Sequence, residues 1–380
     1  MYGIAKKMFK EIILILFIII FSSSSFANNN SVWLEKNKKG MEYYKLGDYV
    51  SSEKYYLEAI KEAESQDLKA ELSATLNNLG LLHSETLRIE SSKNLLEKSL
   101  RIRLEIYGGN HRYVAQSYNN LARAYETNDE YEKSIDLYVK SLKVYESLGE
   151  RYKMLLARTL NNLSTVQIKI GLLDVAEKNL VRSMAISKEY SNDNSIFLTA
   201  MSNLASIFSN TGKYIEAEKL YMNLLNISLE IENSDSIKLA RLYNNLAVVM
   251  KKQCNYNNAL NYIEKSLNIW NKNKGIFILD YSSALHNYGE LYKALGKFDL
   301  AEKNILNSLK VLEDNDIKYN DQYLLQSFSL INLYKQLDQY NRISEILNEI
   351  NSYRISQQLT TIDINEVPEG VYEHCSSSNI

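Results

Sequence analysis

The apolar positions along this chain follow a helical period and occur in pairs of stripes. Within a stripe they recur roughly every three to four residues, and a short polar break separates the two stripes of a pair. In one pair the break is Asn128-Asp129, and the stripes on its two sides comprise Tyr118, Leu121, Ala122 and Tyr125, then Tyr131, Ile135, Tyr138, Leu142 and Tyr145. This pattern predicts a helix, a short turn and a second helix. Because one such pair cannot bury both stripes, it has to pack on neighbouring copies.

The tripeptide Asn-Asn-Leu marks the period of these helical pairs. Its second asparagine, in full or looser copies, lies at positions 78, 120, 162, 203, 245 and 287, so the steps are 42, 42, 41, 42 and 42 residues. A constant step of this size indicates one supersecondary unit stacked on copies of itself. We therefore predict an all-α solenoid of about eight helix-turn-helix repeats over residues 32–350. The end of a capping helix and a polar tail are expected over 351–380.

The composition agrees with a helical chain and argues against several functional classes. A single proline and 13 glycines in 380 residues leave few helix breakers. The 44 basic and 46 acidic residues nearly balance, so no global charge favours nucleic acid as a partner. The chain has no His-Glu-x-x-His, Cys-x-x-Cys, phosphate-binding glycine loop or Gly-x-Ser-x-Gly motif. We therefore predict a protein that is not an enzyme and that has no cofactor or metal site.

The first 27 residues have the pattern of a secretory signal peptide. Three lysines precede the apolar run 12–21, and Ser25 and Ala27 follow at the spacing of a signal-peptidase site. The run is too short for a stable membrane anchor, since a spanning helix needs about 20 apolar residues. We therefore expect cleavage after Ala27 and export of the protein to the periplasm or the cell exterior.

The repeat resembles that of the tetratricopeptide-repeat family, whose signature places small residues, aromatic residues and a turn glycine at fixed phases. The first unit has Gly40, Tyr43, Gly47, Tyr49, Ser52, Tyr56 and Ala59, and a later unit has Leu204-Ala205, Phe208, Gly212, Tyr214, Ala217 and Tyr221. At the turn-glycine phase, other units have Leu87, Asp129, Gly171 and Cys254. The step of 42 residues, instead of the usual ~34, resembles the long repeats of the kinesin light chain type. The resemblance implies a right-handed α-solenoid whose concave surface binds a protein or peptide.

The resemblance also implies candidate binding residues. In relatives such as the kinesin light chain and the O-GlcNAc transferase, asparagines directly before the buried leucine bind the backbone of an extended peptide. Here that phase is occupied by six residues, which we call the asparagine row: Asn78, Asn120, Asn162, Asn203, Asn245 and Asn287. A carboxamide can pair with both the N–H and the C=O of a peptide group. The alternative, that these asparagines cap or cross-link adjacent helices, stays open. The preceding asparagine has less weight as a site, because Ser202 and His286 replace it in two units.

Basic residues on the same predicted surface indicate what kind of peptide is bound. Helical phase places Arg123, Arg158 and Arg241 on the inner face. Because arginine binds a carboxylate through two hydrogen bonds, these residues favour an acidic peptide or a free C-terminus as the partner. An ordinary solvated helix face explains the same positions equally well.

Other roles and features remain open at the level of sequence. The chain can instead be an assembly scaffold that uses its convex face or its ends, or the recognition partner of a separately encoded protease or sensor. The tail after residue 351 is either disordered or occupies the groove as an occluding segment. Two cysteines, Cys254 and Cys375, are too few for a disulfide framework, and their spacing does not show whether they pair.

Overall fold

The computed structural model describes residues 32–190, 194–231, 235–273 and 277–368. Within these ranges the regular structure consists of α-helices and one short 3₁₀ helix, Glu150–Tyr152, without any β-strand. No helix in these ranges has both the length and the apolar character needed to cross a bilayer. The predicted signal peptide and Cys375 lie outside the described residues.

The helices form consecutive pairs, each joined by a short turn. In chain order they are α1 (32–46), α2 (Tyr49–Ser65), α3 (Lys69–Glu85), α4 (Ile89–Tyr107), α5 (Arg112–Thr127), α6 (Tyr131–Ser147), α7 (Lys153–Lys169), α8 (Leu173–Tyr190), α9 (Ser195–Asn210), α10 (Tyr214–Ile231), α11 (Ile237–Lys252), α12 (Tyr256–Lys272), α13 (Ile278–Ala294), α14 (Phe298–Glu313), α15 (Asp321–Gln336) and α16 (Tyr340–Ser356). The prediction of an all-α solenoid built from about eight helical pairs is therefore confirmed.

The chain divides into two compact units, unit 1 up to Ala200 and unit 2 from Met201, with the boundary inside α9. In unit 1 the pairs α3/α4, α5/α6 and α7/α8 pack as hairpins, and α4 and α6 each pack on the first helix of the next pair. Unit 2 repeats this arrangement from α10 to α16. First helices of adjacent repeats also contact each other, as in α3 with α5 and α11 with α13. We call the surface formed by the first helices of a unit its inner face, and that of the second helices its outer face.

The turn inside each repeat depends on one residue in the left-handed backbone region. The turn-glycine phase has φ between 56° and 80° in every repeat, at Gly47, Leu87, Asp129, Gly171, Gly212, Cys254, Gly296 and Asp338. Glycine adopts this conformation freely, whereas another residue costs about 1–2 kcal/mol. Because Leu87 adopts it as well, the packing of the two helices fixes the turn and overrides the local preference.

Small residues at fixed phases let the two helices of a repeat approach closely. A Cβ atom added to Gly80 would lie 2.7 Å from Leu96, and one added to Gly289 would lie 2.6 Å from Ile305. Buried serines of the second helices donate to backbone carbonyls of the first helices, 26 residues earlier: Ser99 to Ser73, Ser141 to Ala115, Ser183 to Ala157 and Ser266 to Ala240. These four repeats are therefore cross-linked internally by a hydrogen bond that water cannot easily replace.

Candidate functional site

Most of the asparagine row lies at the contact between successive first helices. Three hydrogen bonds have the same form, in which the second asparagine of one repeat donates from Nδ2 to Oδ1 of the first asparagine in the preceding repeat. They join Asn120 to Asn77 (2.8 Å), Asn162 to Asn119 (3.2 Å) and Asn287 to Asn244 (3.0 Å). We call this series the asparagine ladder. It connects three pairs of adjacent repeats, each pair within one unit.

Other residues make the same contact at the ends of the ladder. In unit 1, Asn78 Nδ2 donates to Asn37 Oδ1 on α1, at 3.3 Å. In unit 2, His286 occupies the phase of the first asparagine, and Ser329 occupies the phase of the second one in the next repeat. His286 Nε2 and Ser329 Oγ are 2.8 Å apart. The inter-repeat hydrogen bond is thus retained although the residue types change.

Burial makes these hydrogen bonds structurally important. The acceptor Asn77 is 3% exposed and its donor Asn120 is 8% exposed. A buried carboxamide oxygen that loses its donor costs about 1–3 kcal/mol. The ladder therefore gives the row a role between helices. Peptide binding by the row stays a prediction, and at Asn78, Asn120, Asn162 and Asn287 one N–H of the amide is already used.

The other two members of the row lie on the inner face of unit 2. Asn203 on α9 and Asn245 on α11 are both half-buried. In the ladder, Asn245 would donate to the first asparagine of the preceding repeat, but Ser202 occupies that position and its side chain is shorter. Within the described ranges, Asn245 makes no side-chain hydrogen bond, whereas Asn203 does have a partner. Asn245 is therefore the member of the row whose carboxamide keeps its full capacity for a ligand.

Two of the three predicted arginines form ion pairs between adjacent repeats. Arg123 Nη2 lies 3.0 Å from Glu85 Oε1, and both side chains are largely exposed. Arg241 donates two hydrogen bonds of 2.8 Å to the carboxylate of Asp280. Exposed pairs of this kind contribute at most about 1 kcal/mol, so an incoming carboxylate can compete for them. Arg158 is exposed and forms no ion pair with any residue that the structure describes.

A cavity of about 360 Å³ opens on the inner face of unit 2, between α11, α13 and α15. Its wall combines charged, polar and apolar side chains, including Lys252, His286, Glu290, Phe328, Ser329 and Asn332. It contains the ladder pair of His286 and Ser329, so the end of the ladder and the cavity are one site. Within the described ranges no group of side chains could hold a metal ion.

The charges around this cavity are set by one carboxylate and its lysine neighbours. Glu290 lies 2.6 Å from the ammonium group of Lys293 and 3.9 Å from that of Lys251. Burial by itself raises the pKa of Glu290, but the two lysines outweigh it and the pKa lies below its usual value. Burial lowers the pKa of His286 to about 4, so this imidazole is neutral at pH 7. The wall therefore holds one negative charge, that of Glu290, against the positive charges of Lys251 and Lys252, while Lys293 pairs with Glu290.

The chain's own tail reaches this cavity. Pro368 contributes to its wall, and the Pro368 carbonyl accepts a hydrogen bond of 2.8 Å from Asn332 Nδ2. Further back, the Ile364 carbonyl accepts one of 2.8 Å from Lys335 Nζ. The part of the tail up to Pro368 therefore lies against the inner face of the last repeat. No periodic pattern in the sequence predicts this placement.

Comparison with known proteins supports the repeat assignment. A tetratricopeptide repeat model matches residues 71–147, 196–272 and 239–314, and a second model of the same description matches residues 36–66. This chain belongs to the tetratricopeptide-repeat family. Members of the family are protein-interaction scaffolds. A search of curated proteins found none that is significantly similar in sequence to this tetratricopeptide-repeat chain.

Solved structures share the fold of this tetratricopeptide-repeat protein at low sequence identity. The apo form of the quorum sensor NprR from B. thuringiensis has a TM-score of 0.66 and 17% identity, covering 84% of this chain and 86% of that one. The apo form of RapI has a TM-score of 0.60 and 13% identity, covering 75% and 99%. A tetratricopeptide repeat protein from Parabacteroides merdae ATCC 43184 has a TM-score of 0.53 and 17% identity, covering 80% and 98%.

The asparagine ladder predicts an asymmetry between two members of the row. Asn120→Ala should lower the free energy of unfolding by about 1–3 kcal/mol, because it leaves the buried oxygen of Asn77 without a donor. Asn245→Ala breaks no hydrogen bond and should change it by less than about 0.5 kcal/mol. Urea unfolding followed by circular dichroism measures both values. Equal losses for the two variants would contradict the ladder.

The buried histidine predicts a loss of stability in acid. The folded pKa of His286 is about 4, against the usual 6.5 that applies in the unfolded chain. Between these values only the unfolded state binds the proton, so stability falls as the pH decreases from 6.5 to 4. The loss at pH 5 is on the order of 2 kcal/mol. The substitution His286→Asn introduces the residue type that the repeats of unit 1 have at this position, and it should remove that part of the pH dependence. Thermal unfolding at pH 7.5 and pH 5 tests this, and an unchanged acid sensitivity in the variant would refute it.

Proposed function

We propose that this protein is an exported, non-enzymatic scaffold that binds an extended polypeptide on the inner face of unit 2, at the cavity between α11, α13 and α15. The observation that supports this most directly is that side chains of the last repeat already bind non-helical backbone there, that of the chain's own tail. Asn332 and Lys335 both donate to backbone carbonyls. Contacts of this kind do not depend on the side chains of the bound segment.

The polar groups of the inner face determine how a foreign peptide would be bound. Asn245 offers an unused carboxamide one to two turns before the cavity-lining residues Lys251 and Lys252 on the same helix. In Asn287 one N–H belongs to the ladder, while the second N–H and the oxygen keep capacity for a peptide group. The row therefore acts in both ways at once, as a link between repeats and, where the ladder leaves groups unused, as a binding surface.

The charges and apolar groups of the cavity favour an acidic, partly apolar segment. Lys251 and Lys252 line the cavity together with a single carboxylate, that of Glu290, so the lining has more basic than acidic side chains although the whole chain is nearly neutral. Leu325 is exposed and Phe328 is half-buried, and both offer apolar contact. Backbone hydrogen bonds contribute only about 1 kcal/mol each. Ordering a flexible peptide costs about 2–5 kcal/mol, so the apolar and charged contacts must supply most of the affinity.

Selection of peptides by the purified chain without residues 1–27 tests this proposal. Displayed decapeptides should be enriched in acidic residues, and fluorescence anisotropy with a selected peptide measures its affinity. Asn245→Ala and Lys252→Glu should weaken binding by about fivefold or more, in line with one hydrogen bond or one ion pair. The matched outer-face changes on α12, Asn258→Ala and Lys265→Glu, should have no effect. Binding that responds to the outer-face changes and not to the inner-face ones would overturn the proposal.

Export rests on the N-terminal pattern and has a separate test. The full chain, produced in its native host, should be recovered outside the cytoplasm with Asn28 as its first residue, since a signal peptidase cuts after the small residue at the end of such a pattern. N-terminal sequencing of the fractionated protein reads this directly. A Met1 terminus on cytoplasmic protein would refute export.

A further inference from the structure

The last described segment of the chain, residues 359–368, is held like a bound peptide, and we call it the tail strap. The carboxamide of Asn351 donates to the Ile362 carbonyl at 2.9 Å and accepts from the Ile362 N–H at 2.7 Å. Arg354 Nε donates to the Thr360 carbonyl at 2.6 Å. Asn332 and Lys335 of α15 also donate to strap carbonyls. The helices α15 and α16 therefore contact the strap backbone along most of its length. One asparagine thus satisfies both the N–H and the C=O of one residue, which is the chemistry expected of a peptide-binding carboxamide.

Apolar side chains anchor the strap in the core of the last repeat. Val367 is 2% exposed and belongs to the same buried cluster as Leu330, Tyr334 and Ile343. Ile362 and Ile364 pack against this cluster, while the residues between and after them, such as Asp363 and Glu366, point to solvent. The strap therefore has one buried apolar anchor and an acidic exposed side.

The strap leads directly to the cavity of the proposed binding site. Pro368 lies in the cavity wall beside His286, Asn287 and Glu290. Twelve residues follow Pro368 in the sequence and lie outside the described residues. From residue 355 to the C-terminus the chain has four acidic residues and no lysine or arginine, while the cavity wall holds Lys251 and Lys252. Charge and chain direction therefore both match the tail to this cavity.

We propose that the C-terminal tail, residues 359–380, is an intramolecular ligand of the inner-face cavity, and that a partner has to displace it. This inference rests on the proposed function, since it names what occupies the same site in the resting protein. The strap provides a local anchor, and its backbone uses the donors of Asn332 and Lys335 that a partner peptide would also need. Because only the fraction of molecules with a released tail binds a partner, the apparent affinity falls by that fraction.

A synthetic, fluorescently labelled peptide with the sequence of residues 359–380 tests this under reducing conditions, so that the two cysteines play no part. The wild-type chain should bind this peptide weakly, because its own tail fills the site. Val367→Asp places a charge in the apolar cluster and releases the tail, so this variant should bind the peptide about tenfold more tightly or better. The matched change Leu359→Asp, at a strap residue that is 50% exposed, should leave the affinity as in the wild type. A peptide with the Val367→Asp change should bind neither protein.

Equal affinity of the wild type and the Val367→Asp variant for the peptide would overturn the inference. If the variant does not fold, Asn351→Leu removes both hydrogen bonds to Ile362 without a charge in the cluster and should also raise the affinity. Hydrogen exchange of the wild type is an independent measurement. The Ile362 amide should be protected from exchange, and exchange at the rate of an unfolded chain would refute the bound strap.

The same measurements separate this inference from the proposed function. If selected foreign peptides bind the wild-type and Val367→Asp chains with the same affinity, the tail does not occupy their site and this inference fails alone. If the released chain binds the tail peptide but no foreign peptide, the proposed function fails and the intramolecular ligand stands.

Discussion

The hydrogen bond between carboxamides of successive first helices is the interaction on which this structure depends. A repeat array has no contacts between distant parts of the chain, so its stability comes from each repeat and from the interface to its neighbours. In this chain the interface contains a buried polar bond at the same place in several repeats, with Asn77 and Asn120 as its most buried example. Apolar stripes bring adjacent helices together, and the buried polar bond favours one register between them, because any slip leaves a carboxamide unsatisfied.

The ladder also determines where the inner face has capacity for a ligand. Where two carboxamides bond to each other, the asparagines of the row use part of their hydrogen-bonding capacity on the contact between repeats. Unit 2 differs, because Ser202 replaces one acceptor and the pair of His286 and Ser329 replaces another. The cavity, the unused carboxamide of Asn245 and the tail strap all lie in this unit. A break in the regular pattern of the repeat thus coincides with the features that support binding.

Much of the fold was predictable from the sequence because its determinants are local. Helical periodicity and the turn phase gave the helical pairs, and even Leu87 and Cys254 adopt the left-handed conformation expected of that phase. The partner of each asparagine was not predictable in the same way. Periodicity fixes the direction of a side chain around its own helix, but not the offset along the axis between two helices. The bond from Asn120 spans 43 residues, one more than the repeat, so it joins a second asparagine to a first one.

Two other features show where local patterns stop being informative. The first asparagine has little weight as a site in the sequence, since Ser202 and His286 replace it. A compensating signal was present: Ser329 replaces the second asparagine in the repeat that follows His286, so the two partners of this contact change together. The placement of the tail depends on a single buried valine in a polar segment, Val367, and one apolar residue forms no periodic pattern.

A double-mutant cycle on Asn77 and Asn120 tests the central claim most directly. The free energy of unfolding is measured for the wild type, for each alanine variant and for the double variant. If the two carboxamides bond to each other across the repeat interface, the single losses should not add, and the coupling energy should be about 1–2 kcal/mol. The pair Asn77 and Asn162, which lie two repeats apart and share no hydrogen bond, should show coupling within about 0.5 kcal/mol of zero. Additive losses for Asn77 and Asn120 would contradict the ladder as the link between repeats.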